Sequence, residues 1–186
     1  TLMRSSAASD VYKRQAILIL TFAWTLKGTT DMMGAKDFVQ TAMTSASGSL
    51  FSFLPAVIFI VGCLMAFATG TSWGTFGILI PISVTILSGN YMMMSVCVGA
   101  ILAGAVCGDH ISPISDTTIL SSAGAQCRHI DHVSTQMPYA LTVALCASIG
   151  YILSGVTGSG YIGLASALAS LAVVMAIIVM TAKRGR

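Results

Sequence analysis

Apolar residues run in long blocks along this chain, and polar residues gather between the blocks. Ala16–Leu26 (AILILTFAWTL) reads as the remaining end of a membrane helix. Lys27–Ser49 is polar and rich in Gly, Ser and Thr, and reads as a loop with a short interfacial helix near Ala35–Met43. Leu50–Ala68 is apolar and long enough to span, since a crossing takes about 20 residues. Pro55 suits its first turn, where a missing N–H costs nothing. Thr69–Thr75 (TGTSWGT) interrupts the pattern, and a shorter apolar run, Phe76–Leu87, follows and closes at Asn90. Tyr91–Cys107 is the next apolar segment. Gly99, Ala103, Gly104 and Gly108 recur there at helical spacing and permit close helix contact. Gly108–Ser115 is polar and holds Pro113. Asp116–Ala125 can form a short helix, because Ser115 or Asp116 can cap its N-terminus. Gln126–Gln136 reads as a hydrophilic loop, and Pro138–Val156 and Tyr161–Met180 as spans joined by a tight turn at Gly158–Gly160. No strand alternation is present, so a barrel is not expected. The pattern predicts an all-α, polytopic membrane helix bundle with broken or re-entrant helices. Leu50–Leu87 is open between two spans, a re-entrant hairpin and one broken helix.

Charge sharpens this picture. Of 186 residues, 8% are charged and none is Glu. Soluble domains carry about 25% charged residues, so a soluble enzyme, a disordered linker and a nucleic-acid binder are excluded. No charge occurs from Phe38 to Gly108, or from Val133 to Ala182. The net charge of +3 argues for no nucleic-acid partner. Lys183, Arg184 and Arg186 follow the last span directly and predict a cytoplasmic C-terminus; the Arg128 loop, two spans back, falls on the same side. Cys63, Cys97, Cys107, Cys127 and Cys146 form no CxxC pair, and read as small hydrophobes rather than metal ligands.

Two polar breaks carry the candidate chemistry. Non-helical backbone at membrane depth survives only inside protein or around a wet cavity, and transporters use broken helices to face their cargo. The richer break is Cys107–Thr118, CGDHISPISDTT. Pro113 opens the helix and frees carbonyls. Carbonyl, hydroxyl and carboxylate oxygens are what Na+ needs in place of water. Asp109 and Asp116 can approach one Na+ from either side of the break. A buried carboxylate also takes up a proton, and a nearby cation displaces it. Such a group carries Na+ or H+ in turn, the minimal chemistry of an antiporter, and His110 can add a proton step. Ser112, Ser115, Thr117 and Thr118 are oxygen ligands in this reading. The plainer reading is an extramembrane loop in which Asp116 only caps a helix. A transition-metal site from Cys107, Asp109 and His110, and a hydrolase using Ser112, His110 and Asp116, are weaker still. At the first break, Thr69, Thr71, Ser72 and Thr75 either line the same cavity as a re-entrant tip or form an interfacial loop anchored by Trp73. His129 and His132 are placed on a solvated loop, with pH sensing as the minor alternative. Lys27 and Asp31 are further candidates at the end of a broken helix.

Gly108–Ala140, GDHISPISDTTILSSAGAQCRHIDHVSTQMPYA, resembles the signature region of NhaC-type sodium/proton antiporters. AFATGTSWGTFGILIPI, Ala66–Ile82, resembles another recurrent stretch of that family, and LTFAWTLK, Leu20–Lys27, is similar to a third. Together they extend over nearly all of Ala16–Val156 in family order. The resemblance implies a secondary transporter, not an enzyme, built from two inverted repeats, of which this chain would hold the second. It implies exchange of Na+ for H+ across the bacterial cytoplasmic membrane. Some relatives couple these ions to small carboxylates such as malate and lactate. Asp109, His110, Ser112, Ser115, Asp116, Thr117 and Thr118 match the motif where it is densest. The partners implied are Na+, H+, the bilayer and an N-terminal half of the same protein, with no cofactor. The rivals are an ion-coupled organic-anion exchanger and a non-transporting membrane scaffold.

The leader is of a different kind. Ser5–Gln15, SSAASDVYKRQ, resembles the in-frame translation of a sequencing-library adapter. The alternative is a basic, Ser-rich targeting segment. Residues 1–15 are therefore expected to be non-native, with the transmembrane part running over 16–186 as the C-terminal part of a longer gene product. Independent genomic reads of the locus are expected to lack codons for Ser5–Gln15; their presence would refute the adapter origin.

Overall fold

The computed structural model describes Thr21, Thr25, Thr29, Met32, Met33, residues 52–87 and residues 89–184. The leader at 1–15, most of Ala16–Leu26, the interfacial helix at Ala35–Met43, Lys27, Asp31 and Leu50 lie outside the described residues. Thr21, Thr25, Thr29 and Met32 are helical. Helical backbone is thus found past Leu26, where the sequence pattern places a loop. The Thr25 and Thr29 hydroxyls donate to the carbonyls four residues back, at 2.8 and 2.9 Å, so their polarity is met within the helix.

Six further helices follow: α1 (Leu54–Thr69), α2 (Ser72–Ile86), α3 (Tyr91–Ile111), α4 (Asp116–Gly124), α5 (His129–Thr157) and α6 (Gly160–Arg184). No strand occurs among the described residues. Pro55 lies in the first turn of α1, as expected. That helix stops at Gly70, whose φ of 66° is left-handed and whose N–H bonds the Ala66 carbonyl at 2.8 Å. Thr71 is extended and caps α2 by accepting from the Gly74 N–H. The first break is therefore only Gly70–Thr71, and Ser72–Thr75 are helical rather than loop.

α1 and α2 fold back on each other. A side chain at Gly62 would lie 3.7 Å from Leu79, eight residues before and nine after the turn. Leu54 and Leu87, at the far ends of the two arms, share a cluster with Met93 and Cys97. A single broken helix is thereby excluded, and residues 54–87 form a helical hairpin. Its arms have 16 and 15 residues, about 24 and 22 Å, against about 30 Å of hydrocarbon. Within the described residues neither arm reaches the length of an upright crossing.

Asn90 starts α3 by accepting from the Met93 N–H at 3.1 Å. α3 continues past Cys107 to Ile111, which gives it 21 residues and a full crossing. It runs parallel to α1 in closest contact. A Cβ at Gly104 would strike the Phe59 carbonyl, and one at Gly108 the Cys63 carbonyl. Only glycine lets the two backbones meet this way, and packing of this kind substitutes for the hydrophobic force that lipid removes.

α5 begins at His129, so Gln126–Gln136 is largely helix rather than loop. Asp131 suits a first turn electrostatically, and the Ser134 and Thr135 hydroxyls donate to its carbonyl at 3.1 and 2.7 Å. Pro138 lies inside α5 rather than at its start. Gly158, at φ 67°, turns the chain into α6, and Gly150 and Gly163 bring α5 and α6 together. Tyr91–Ile111, His129–Thr157 and Gly160–Thr181 are each long and apolar enough to cross a membrane. α6 packs chiefly on α5, and apolar side chains such as Leu164, Leu168 and Val173 stay exposed, as they do on a lipid-facing helix.

Replacing Gly104 with Leu is expected to destabilise the bundle by more than about 3 kcal/mol, beyond ordinary overpacking, because the obstacle is backbone. Gly99, with open space around its Cα, is expected to accept Ala with little change. Thermal unfolding of both purified variants in detergent tests the contrast.

Candidate functional site

The tip of the α1–α2 hairpin and the break between α3 and α4 meet at one end of the bundle. Parallel packing of α1 on α3 puts them there. The Ser112 hydroxyl donates to the Phe67 carbonyl of α1 at 2.8 Å, and Gly70 lies so close that a side chain would reach Ile114 at 2.9 Å.

Asp109 sits at the centre. It belongs to the last turn of α3 and is only 6% exposed. The Ser115 hydroxyl, from across the break, donates to its Oδ1 at 2.7 Å. Ser72, in the first turn of α2, lies near enough for its hydroxyl and backbone N–H to act on the same carboxylate. The N-terminal end of a helix favours negative charge, so α2 faces Asp109 with the complementary sign. Asp116, half-buried at the start of α4, is near enough for its charge to act on Asp109. The Thr117 hydroxyl lies 2.7 Å from that of Ser115, and Ser115 also caps α4 by accepting from the Thr117 N–H at 3.2 Å.

The break itself is short. The helix opens at Ser112, and Gly108–Ile111, placed by the sequence pattern within the polar break, are helical. The Ser112 N–H bonds the Asp109 carbonyl at 3.1 Å, a tightened last turn of the kind that helix ends adopt. The His110 carbonyl is taken by the Thr118 hydroxyl at 3.1 Å and by the Gln136 amide.

The sequence candidates separate on this geometry. Asp109, Ser115, Thr117 and Ser72 converge, with Asp116 beside them. Ser112 and Thr118 are buried but donate to backbone carbonyls, so they hold the break together. His110 is exposed. Thr71 serves as a cap, and the Thr75 hydroxyl, one turn deeper, donates to the Thr71 carbonyl at 3.1 Å. The Thr69 hydroxyl donates to the Met65 carbonyl at 2.8 Å. Ser72 is the tip residue that reaches the carboxylate. The pattern did not rank it above its neighbours, because only the hairpin brings it to Asp109. Trp73 is exposed and stacks edge-on with Phe76.

The weaker alternatives find no geometry. No group of three or more His, Cys, Asp or Glu is poised for a metal among the described residues. Ser112, bonded to Phe67, has no base beside it. A cavity of about 570 Å³ between α3, α5 and α6 is lined by Val96, Gly99, Tyr151 and Ser154. It lies toward the opposite end of the bundle. Ser154 there holds the one buried hydroxyl without a hydrogen-bond partner among the described residues.

Residues 14–156 match the model of the Na+/H+ antiporter family. A protein of Haemophilus influenzae of uncharacterised function is 50% identical over 162 residues, covering 86% of this chain and 31% of its own length. The malate-2H(+)/Na(+)-lactate antiporter of Bacillus subtilis is 35% identical over 101 residues, covering 52% of this chain and 22% of its own length. The arginine/ornithine antiporter ArcD of Halobacterium salinarum is 36% identical over 105 residues, covering 54% of this chain and 22% of its own length. The chain thus spans less than a third of these relatives. No solved structure matches.

Replacing Ser112 with Ala leaves the Phe67 carbonyl short of its donor. The expected cost is about 1–3 kcal/mol, read as a lowered unfolding midpoint, with the hairpin tip gaining reactivity toward a thiol probe at an introduced Thr71→Cys.

Proposed function

Since the chain belongs to the Na+/H+ antiporter family, we propose that it carries the ion-exchange site of an NhaC-type sodium/proton antiporter, a multi-pass protein of the bacterial cytoplasmic membrane with its C-terminus inside. The observation that supports this reading is the Asp109 junction: a buried carboxylate that accepts from the Ser115 hydroxyl, itself bonded to the Thr117 hydroxyl, with Ser72 of the neighbouring hairpin beside it, at a break between two helices.

The chemistry follows from what these groups can do. A hydroxyl is both donor and acceptor. With Asp109 ionised and no cation bound, Ser115 and Ser72 donate to it. When Na+ arrives, the same hydroxyls rotate and offer their oxygens, and the Asp109 carboxylate supplies the charge. Asp116 adds a second negative group beside the ion. When a proton arrives instead, it neutralises Asp109, and the cation loses its main counter-charge. One carboxylate therefore carries Na+ or H+ in alternation, the exclusivity that exchange requires.

A second reading has its own support. Two relatives are an antiporter of malate and lactate with H+ and Na+ and an antiporter of arginine and ornithine. An organic cargo would then share the pathway, with Na+ or H+ as the coupling ion.

The test uses the complete open reading frame in everted vesicles with a pH-sensitive dye. Addition of Na+ is expected to move protons in the wild type, and Asp109→Asn to reduce this to background while still inserting. A response only after malate, lactate or arginine is added would favour the organic cargo. Equal responses from both proteins would remove Asp109 from the site.

A further inference from the structure

Helix α5 supplies no ligand to the Asp109 junction, yet it holds the broken turn at two places. His129 Nε2 lies 2.7 Å from the Pro113 carbonyl, and the Gln136 amide donates to the His110 carbonyl. These carbonyls flank the Ser112 opening, where the regular helix pattern no longer supplies them with donors. His129, Val133 and Gln136 stand four and three residues apart on one face of α5, and Val133 between them is 5% exposed. A carbonyl only accepts, so Nε2 carries the hydrogen. The contact therefore persists whether the ring is neutral or charged. Nδ1 lies 3.1 Å from the Ser122 hydroxyl of α4, so the same ring also ties down the short helix that begins with Asp116 and Thr117.

We propose that His129 and Gln136 are positioning residues for the exchange site, fixing the Ser112–Ser115 turn in the shape that brings the Ser115 hydroxyl onto Asp109. This rests on the ion-exchange reading above. α5 touches the backbone on either side of the turn, so its effect is on ligand geometry and on Na+ affinity. The maximal rate, set by groups it does not touch, changes little.

The experiment compares wild type, His129→Leu, His129→Gln and Gln136→Leu as complete proteins in lipid vesicles, with two readouts. The first is Na+-driven proton movement across a range of Na+ concentrations. The second is deuterium uptake by the backbone of residues 108–118. The expected result is a KM for Na+ raised about three- to tenfold by either Leu variant, the value of one hydrogen bond, with a maximal rate within about twofold. Uptake at the turn is expected to quicken in the Leu variants. Glutamine can still donate to the Pro113 carbonyl, so His129→Gln is expected to return both readouts toward wild type. Unchanged KM and uptake, a joint fall of KM and rate, or a glutamine variant no better than leucine would each overturn the proposal. If the wild type moves no protons with Na+, the exchange reading fails; the hold of α5 on the turn is then decided by uptake alone, faster in the Leu variants if it stands and unchanged if it falls.

Discussion

Everything at the candidate site depends on backbone meeting backbone between α1 and α3. At Gly104 and Gly108 no side chain intervenes, and carbonyls of α1 occupy the space that Cβ atoms would fill. Contact this close fixes register as well as distance. Because α1 and α3 are parallel and locked at two successive positions, Phe67 falls opposite Ser112 and Gly70 opposite Ile114. The polar tip of one element is thereby delivered to the polar break of another. Within lipid, dispersion and interhelical hydrogen bonds carry this burden.

The junction then solves an accounting problem. A helix end exposes carbonyls, a helix start exposes N–H groups, and a membrane tolerates neither unpaired. Here the C-terminal end of α3, the N-terminal ends of α2 and α4, and two side chains of α5 meet one another's needs. Asp109 accepts from the Ser115 hydroxyl and faces the first turn of α2, while the His110 and Pro113 carbonyls receive their donors from Thr118, Gln136 and His129. The hydroxyls nearest Asp109 can reverse their hydrogen-bond sense at no structural cost, whereas those on backbone carbonyls cannot. That difference separates residues suited to binding an ion from residues suited to holding the site in shape.

Much of this was legible in the sequence. Long apolar blocks marked the helices, the small-residue spacing of Gly104 and Gly108 marked the tight contact, and the crowding of carboxylate and hydroxyl groups around Pro113 marked the break. Three departures share one cause: polar composition was read as a break or a loop. Ser72–Thr75, Gly108–Ile111 and His129–Gln136 are polar and helical, because capping by Thr71, hydroxyl bonds to carbonyls one turn back, and tertiary partners satisfy them. Ser72 could not be ranked above Thr71 or Thr75, since its meeting with Asp109 is a property of the hairpin. The same holds for His129, whose partners lie 7 and 16 residues away on elements whose placement no local pattern records.

The exposed apolar face of α6 has a structural consequence. α6 leans chiefly on α5, and its exposed apolar length seeks the thickness of the surrounding bilayer. Through the Gly150–Gly163 contact α6 is joined to α5. The other end of α5 grips the broken turn. The helix that the rest of the bundle covers least is thus one step, through α5, from the backbone that shapes the surroundings of Asp109.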